Sequence, residues 1–304
     1  MMMATRQQAY EQAVRALPLR LRQTALSLPP ADRGRAEELR LRCGQPLAAV
    51  LPEGERPLGG EPVAGRDLEQ LLELASRASV HTVLDQLRRG YLTVEGGHRV
   101  GLCGTAVLRG GELVNLRDLS SAAVRVAHAC PGAAEPVWDK LTGPDGALES
   151  ALLLAPPGAG KTTLLRDLIR MASDGVRGPA QRVGLADERG EVAALWHGRP
   201  QLDVGRRTDV VEGCPKAQAL MMLLRAMNPQ LLAADEITAP EDVRALETAA
   251  GCGVTLLATA HGRDREDLSR RPLYRELTAT GLFRRLVFIR VQGGVRQYEA
   301  EVLA

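Results

Sequence analysis

The chain has 304 residues, a formal net charge of +2 and a hydrophobic fraction of 45%, with aromatic residues at only 3%. This length suits one large or two ordinary domains, and the hydrophobic fraction is sufficient for a packed core. The nearly neutral charge argues against a general nucleic-acid coat protein, although it leaves room for a local basic groove. Five scattered cysteines without a Cys-x-x-Cys pair argue against a disulfide framework or a zinc site.

The same sequence predicts a protein of a reducing cytoplasm that reaches a membrane only through partners. No uninterrupted apolar run is long enough to cross a bilayer, so no transmembrane segment is expected. Residues 1–10 also lack the apolar stretch of a signal peptide.

The first half of the chain predicts an α+β domain with an antiparallel sheet. Spacing of apolar residues predicts helices over residues 6–17, 19–28, 67–78 and 80–89. Alternation of polar and apolar residues predicts strands over 38–42, 47–51, 91–95, 99–108, 112–116 and 124–127, with a loop over 52–65. Turn-forming residues at 141–146 mark a boundary, which gives domains 1–143 and 144–304.

The second half predicts an α/β domain with a mainly parallel sheet. Candidate strands cover residues 151–155, 183–187, 231–235 and 254–258. Helical stretches separate them, which favours right-handed crossovers between parallel strands. Two further strands are predicted over residues 285–290 and 295–302, and the glycines at 293 and 294 between them indicate a β-hairpin.

A phosphate-binding P-loop is predicted at residues 155–162, which read APPGAGKT between an apolar strand and a helix-forming run. Its backbone N–H groups and the helix N-terminus would hold phosphate oxygens, with Lys161 reaching the β- and γ-phosphates and Thr162 binding Mg²⁺. Ala155 replaces the first consensus glycine, which is acceptable where φ is negative. The plain alternative is a Gly/Pro-rich turn. The predicted nucleotide-binding residues are Pro157, Gly158, Ala159, Gly160, Lys161, Thr162 and Thr163.

An apolar strand that ends in two carboxylates follows at residues 231–236, LLAADE. This is a Walker B pattern, in which Asp235 would hold Mg²⁺ and Glu236 would activate the attacking water. An N-cap carboxylate is the structural alternative. The two motifs together predict ATP and Mg²⁺ as cofactors, and the adjacent Glu236 favours hydrolysis over nucleotide storage.

Two further polar strand ends lie beside these motifs in the chain. Strand 183–187 ends in Asp187, and Glu188 comes next. These two residues form a second acidic group near Mg²⁺ or near the attacking water, or else they begin a solvated loop. His261 follows strand 254–258 and would sense the γ-phosphate, while a structural or exposed histidine is the alternative.

The order of these motifs resembles the type II/type IV secretion ATPase superfamily. It combines a P-loop, an acidic box, a Leu-Arg helix ahead of Walker B, and a Thr-x-His-Gly box. Several blocks are similar to the members of that superfamily that act in bacterial sporulation, namely residues 38–42, 90–93, 96–101, 187–189, 207–210 and 213–217.

This resemblance implies a RecA-like P-loop ATPase domain, preceded by a smaller α+β domain, in a homo-oligomer that is a hexamer. Nucleotide would lie between subunits, and an arginine of the N-terminal domain would stabilise the transferred phosphoryl group. Arg99, Arg117 and Arg125 are the candidates, and Arg125 is included among the predicted catalytic residues with Glu236, Asp187, Glu188 and His261.

The resemblance further implies a motor that powers a channel or secretion complex at the forespore membrane of a sporulating bacterium, with proteins of that complex as partners. The alternative is a nucleic-acid-dependent RecA-like ATPase, because the fold serves both functions. No nucleic acid is expected, since few aromatic residues are available for stacking on bases. A scaffold that binds ATP without turnover is disfavoured by Lys161, Asp235 and Glu236.

Overall fold

The computed structural model of the chain describes residues 2–76, 90–293 and 295–303. Contacts divide the chain into two compact units. The first comprises Met1–Ala129 and Ala194–Leu202, and the second comprises Cys130–Ala193 and Asp203–Ala304. The division between Ala129 and Cys130 therefore lies before the turn-rich residues 141–146. These residues belong to the second unit, where the N–H of Gly143 donates a hydrogen bond to the carbonyl of Ala147 at 2.9 Å. The predicted helix 80–89 lies outside the described residues.

The first unit is built on a six-stranded antiparallel sheet in the order β3-β2-β1-β6-β5-β4. Its strands are β1 Glu38–Arg42, β2 Ala48–Leu51, β3 Gly54–Pro57, β4 Tyr91–Thr93, β5 Arg99–Arg109 and β6 Glu112–Arg125. The helices in the described part of the unit are Met2–Val14, Leu19–Leu26, Pro30–Arg33 and Gly65–Ala75.

Hydrophobic periodicity explains most of this unit. Leu39 and Leu41 of β1 are fully buried, and Leu68 and Leu71 line the buried face of helix Gly65–Ala75 in the same core.

Two predictions for the first unit were wrong in detail. Residues 124–127 do not form a separate strand, because β6 continues unbroken to Arg125. The predicted loop 52–65 contains the exposed edge strand β3, whose glycine and proline concealed it.

The second unit is built on a seven-stranded sheet in the order β11-β8-β12-β13-β7-β14-β15, parallel except for β15. Its strands are β7 Ala151–Ala155, β8 Val183–Asp187, β11 Thr208–Glu212, β12 Leu231–Ala234, β13 Thr255–His261, β14 Arg285–Gln292 and β15 Val295–Val302. Its described helices are Glu135–Trp138, Lys161–Asp174, Lys216–Ala226, Pro240–Gly251, Arg265–Arg270 and Pro272–Ala279. A short hairpin of the first unit, β9 Leu195–Trp196 and β10 Arg199–Pro200, completes the strands.

Burial on both faces accounts for the sequence of the central parallel strands. Every residue of β7, β8 and β12 is buried, which matches their near-continuous apolar runs. Edge strand β11 escaped prediction because three of its five residues are polar and all five are only half-buried. Since these strands are parallel, the residues that follow β7, β8, β12 and β13 meet at one edge of the sheet. Among the described residues no helix has the length and hydropathy to cross a membrane.

Close packing at Gly184 gives a test of the second unit. A Cβ atom at this position of β8 would lie 2.7 Å from a methyl carbon of Leu232 and 3.3 Å from Cβ of Leu223, both of which are buried. We expect Gly184→Ala to lower the free energy of unfolding by about 1–3 kcal/mol through overpacking. Denaturant titration measures it, and Gly251→Ala, with open space around its Cβ, is the control. Equal stability of the two variants would contradict this packing.

A buried histidine makes the first unit sensitive to acid. His98 is 1% exposed, and its Nδ1 accepts a hydrogen bond from the N–H of Ala127 at 3.1 Å. Burial, with a smaller contribution from the neighbouring His128, lowers the pKa of His98 from 6.5 to about 4. Protonation is therefore disfavoured in the folded state.

This pKa predicts how stability depends on pH. Above pH 6.5 the ring is neutral in the folded and unfolded states, so it contributes no pH dependence. Between pH 6.5 and 4 only the unfolded state gains the proton, so we expect the free energy of unfolding to fall by about 3 kcal/mol. Denaturant titrations across this window should show a smaller loss for His98→Gln. His197→Gln, at an exposed position, should keep the wild-type slope, and equal slopes for all three proteins would exclude His98 as the source.

Candidate active site

The loop between β7 and helix Lys161–Asp174, where the sequence predicts phosphate binding, contains two glycines in the left-handed region. Gly158 and Gly160 adopt φ values of +75° and +102°, which turn the chain sharply ahead of the helix. Ala155 is the last residue of β7 and is absent from the positive-φ residues, so alanine is accommodated at this consensus glycine position. Thr162 and Thr163 lie in the first turn of the helix.

The terminal hairpin holds this loop from outside. Arg296 of β15 donates a hydrogen bond from Nε to the carbonyl of Ala159 at 3.0 Å. A Cβ atom on Gly160 would lie 2.5 Å from that Nε, so the close approach requires glycine. Sequence analysis missed Arg296, because nothing in the pattern of the hairpin indicates which residue reaches the loop.

Lys161 is buried at the base of the loop and has all three of its donors engaged. Its Nζ donates to the carbonyls of Ala155 at 2.9 Å and Pro156 at 3.1 Å, and lies 3.0 Å from Nδ1 of His261. Burial lowers the pKa of Lys161, while the carboxylates of Asp235 and Glu236 act in the opposite direction. The ammonium group must therefore release a present partner to bind a phosphate.

His261 links this lysine to the second carboxylate of the Walker B strand. Because an ammonium group only donates, Nδ1 of His261 accepts from Lys161, which places the ring proton on Nε2. Nε2 lies 2.8 Å from Oε1 of Glu236 and donates to it. The predicted sensor thus bridges the lysine and the acid.

Asp235 is held by two hydroxyl groups. Thr162 donates to Oδ2 at 2.9 Å, and Thr259 of β13 donates to Oδ1 at 2.6 Å. Loss of hydration raises the pKa of Asp235, and these two hydrogen bonds lower it in part. Carboxylate and hydroxyl oxygens are ligands that Mg²⁺ prefers, with phosphate and water completing the shell. The described residues contain no cluster of three or more His, Cys, Asp or Glu side chains that could hold a metal ion.

Glu236 has a strained backbone, with φ at +44°. Its N–H donates to the Thr259 hydroxyl at 2.8 Å, so the same threonine contacts the Asp235 carboxylate and the Glu236 backbone. Its Oε2 forms an ion pair with Nη1 of Arg189 at 3.2 Å. Both carboxylate oxygens are therefore engaged, one by Arg189 and one by His261.

Asp187 shapes a loop. It is 1% exposed and accepts hydrogen bonds from the backbone N–H groups of Glu191, Val192 and Ala193 at 2.8–3.0 Å. Burial raises the pKa of Asp187, and these hydrogen bonds lower it in part. The loop in turn accepts from the buried Arg166 of the P-loop helix, with Nε 2.6 Å from the Val192 carbonyl. Asp187 thus acts on the P-loop helix through this loop.

Glu188 lies at a small cavity beside the Walker B carboxylates. It forms a close ion pair with Lys216, the first residue of helix Lys216–Ala226. The cavity has a volume of about 90 Å³ and is lined by Glu188, Arg189, Lys216, Asp235, Glu236 and Thr238. Sequence analysis assigned no role to Arg189 or Lys216, because both are charged residues without a motif of their own.

The predicted arginines belong to the first unit. Arg125 of β6 donates to Oε1 of Glu38 at 2.7 Å and remains largely exposed. The guanidinium group of Arg99 stacks on the Tyr91 ring at 4.1 Å. Arg117 lies 3.6 Å from Asp118 at the surface.

Comparison with known proteins places most of the chain in one family. The family model described as Sporulation stage III, protein AA matches residues 6–299. Stage III sporulation protein AA of Bacillus subtilis is 36% identical over 268 residues, which cover 86% of this chain and 84% of that protein. The predicted family is thereby confirmed.

Solved structures confirm the predicted fold. The pilus retraction motor PilT, solved with bound ADP, superposes with a TM-score of 0.59 at 17% identity and covers 88% of this chain and 80% of its own. The ATPase DotB of Legionella pneumophila gives a TM-score of 0.57 at 15% identity, with 88% and 76% covered. At such low identity the likeness shows a RecA-like fold of the secretion ATPases, with a mostly parallel sheet and a separate antiparallel sheet.

The double role of Thr259 can be tested by an isosteric change. Thr259→Val keeps the volume but leaves an oxygen of Asp235 and the N–H of Glu236 without their partner. We expect a loss of about 1–3 kcal/mol in the free energy of unfolding. Denaturant titration measures it, and Thr248→Val on an exposed helix surface should change stability by less than about 0.5 kcal/mol. A Thr259→Val protein as stable as wild type would rule out the dual hydrogen bond.

Proposed function

The chain belongs to the Sporulation stage III, protein AA family, and from that premise we propose that it binds ATP with Mg²⁺ and hydrolyses it. One observation carries the proposal. Lys161 of the phosphate-binding loop, His261 and Glu236 form a hydrogen-bonded chain beside the Thr162–Asp235 pair. These are a phosphate-binding cation, a base and a metal-binding pair in one place.

Each residue has a separate task in this reaction. Backbone N–H groups of residues 157–163 and the Lys161 ammonium group bind the phosphates, while Thr162 and Asp235 hold Mg²⁺. The metal ion, when bound, neutralises charge on the phosphate oxygens. Glu236 accepts a proton from water, whose oxygen bonds to the γ-phosphorus as the bond to the leaving ADP oxygen breaks. The products are ADP, phosphate and a proton.

Nucleotide binding changes the partners of His261. Once Lys161 turns to the phosphates, Nδ1 of His261 loses its donor while Nε2 still faces Glu236. The ring then becomes sensitive to whether a γ-phosphate is present, which is the role that the sequence predicts. Asp187 supports this site from its loop, and Glu188 borders the cavity next to Glu236.

The motor role extends the same proposal. The fold shared with a pilus retraction motor and with the ATPase DotB supports a ring-forming ATPase, here a hexamer. An arginine of the first unit, for which Arg125 is our choice, would stabilise the phosphoryl group in a neighbouring subunit. The sporulation protein of Bacillus subtilis supports a role in powering a channel or secretion complex at the forespore membrane, with peripheral membrane attachment through partners.

Two substitutions test the hydrolytic proposal. We expect Lys161→Ala to lower ATP turnover at least ~100-fold, because it removes the cation that binds the transferred phosphate. Glu236→Gln should lower turnover similarly while retaining ATP, because only the base is lost. Phosphate release and calorimetric binding measure these effects, and light scattering with ATP reports the ring.

Other outcomes separate the alternatives. A wild type that binds ATP without turnover in any oligomeric state would leave a nucleotide-gated scaffold. Turnover that depends on added single-stranded DNA or RNA would instead favour the nucleic-acid-dependent ATPase. Wild-type turnover that survives Lys161→Ala would overturn the site itself.

A further inference from the structure

Lysine is rare in this chain and concentrated at the proposed active site. The sequence contains 3 lysines and 36 arginines. Lys140 is exposed, whereas Lys161 and Lys216 are only 7% and 5% exposed. One of these two buried lysines belongs to the phosphate-binding loop. The other lines the cavity beside Asp235 and Glu236, so both border the same catalytic carboxylates.

The position of Lys216 is unfavourable for a lysine with a purely structural role. It begins an 11-residue helix, where the helix dipole disfavours a positive charge. Burial adds the loss of hydration of the ammonium group, which the ion pair with Glu188 offsets. Glu188 itself keeps 42% of its side chain exposed, so the pair is open to solvent on one side.

Arginine would meet the needs of an ion pair equally well or better. Its planar guanidinium group pairs with a carboxylate through two hydrogen bonds, and this chain uses it at nearly every other cationic position. Lysine differs in presenting a compact charge with three rotatable donors.

We propose that Lys216 is a second phosphate-binding lysine, which contacts the γ-phosphoryl group of ATP within the same chain. The proposal rests on the ATPase function above and adds a residue to its site. Lys216 approaches from the side of Glu188 and Glu236, while Lys161 approaches from the loop. Glu188 holds the ammonium group in place, and the γ-phosphate oxygens then replace or share that partner. The charge that grows on the phosphoryl oxygens during hydrolysis is stabilised from both sides.

Binding measurements in a hydrolysis-deficient background test this contact without relying on turnover. The proteins are E236Q alone and E236Q combined with Lys216→Met, Lys216→Arg or the control Lys140→Met, each titrated with ATP and with ADP in the presence of Mg²⁺. We expect Lys216→Met to weaken ATP binding at least ~10-fold while ADP binding changes less than ~2-fold, because only ATP has the γ-phosphate. Lys216→Arg should recover little of this loss, and Lys140→Met should match E236Q.

In the Glu236-intact protein, Lys216→Met should lower kcat at least ~100-fold with a smaller change in KM. Equal weakening of ATP and ADP, or full recovery with Lys216→Arg, would show a structural ion pair and overturn the proposal. An unchanged ATP preference in Lys216→Met would also overturn it, although the ATPase function would stand. If E236Q binds neither nucleotide, the proposed function and this inference fall together.

Discussion

The candidate site depends on how the Asp235 carboxylate is hydrogen-bonded. Hydroxyl groups of Thr162 and Thr259, and not a cation, bond its two oxygens, which ties the P-loop helix, β12 and β13 together. A carboxylate satisfied by hydroxyl groups keeps its negative charge available, so it suits a divalent cation that arrives with a phosphate. Thr259 also binds the N–H of Glu236, and the strained backbone of that residue is held by the same contact. One buried hydroxyl group thus contacts both of the residues to which the proposed function assigns metal binding and water activation.

Around this centre the charged groups satisfy one another. Lys161, His261 and Glu236 form one chain of contacts, which continues to Arg189, and Lys216 pairs with Glu188 nearby. Under the proposed function, a nucleotide would take Lys161 from its present partners, while the contact between His261 and Glu236 is kept. The energy of the new phosphate contacts would then offset the loss of the old ones.

The site residues that could be predicted from the sequence are those that lie within a short local motif. The P-loop and the Asp235–Glu236 pair each lie in a short segment next to an apolar strand, so their place at the sheet edge followed from the order of parallel strands. Contacts between distant segments carry no such pattern. Arg296, Arg189 and Lys216 acquire a role only when the sheet brings them to the loop, the acid or the cavity. Strand β11 was missed for the related reason that edge strands tolerate polar residues.

The position of β7 in the sheet has a consequence for how the chain folds. Its neighbours are β13 and β14, which begin at Thr255 and Arg285 and are synthesised well after Ala155. The strand ahead of the phosphate-binding loop, ALLLA, is fully apolar and stays unpaired until both arrive. Such late pairing raises contact order and slows folding. It also leaves this apolar strand exposed to other chains until β13 and β14 have formed. The strand that leads into the predicted phosphate-binding loop is therefore also a segment through which the nascent chain can aggregate.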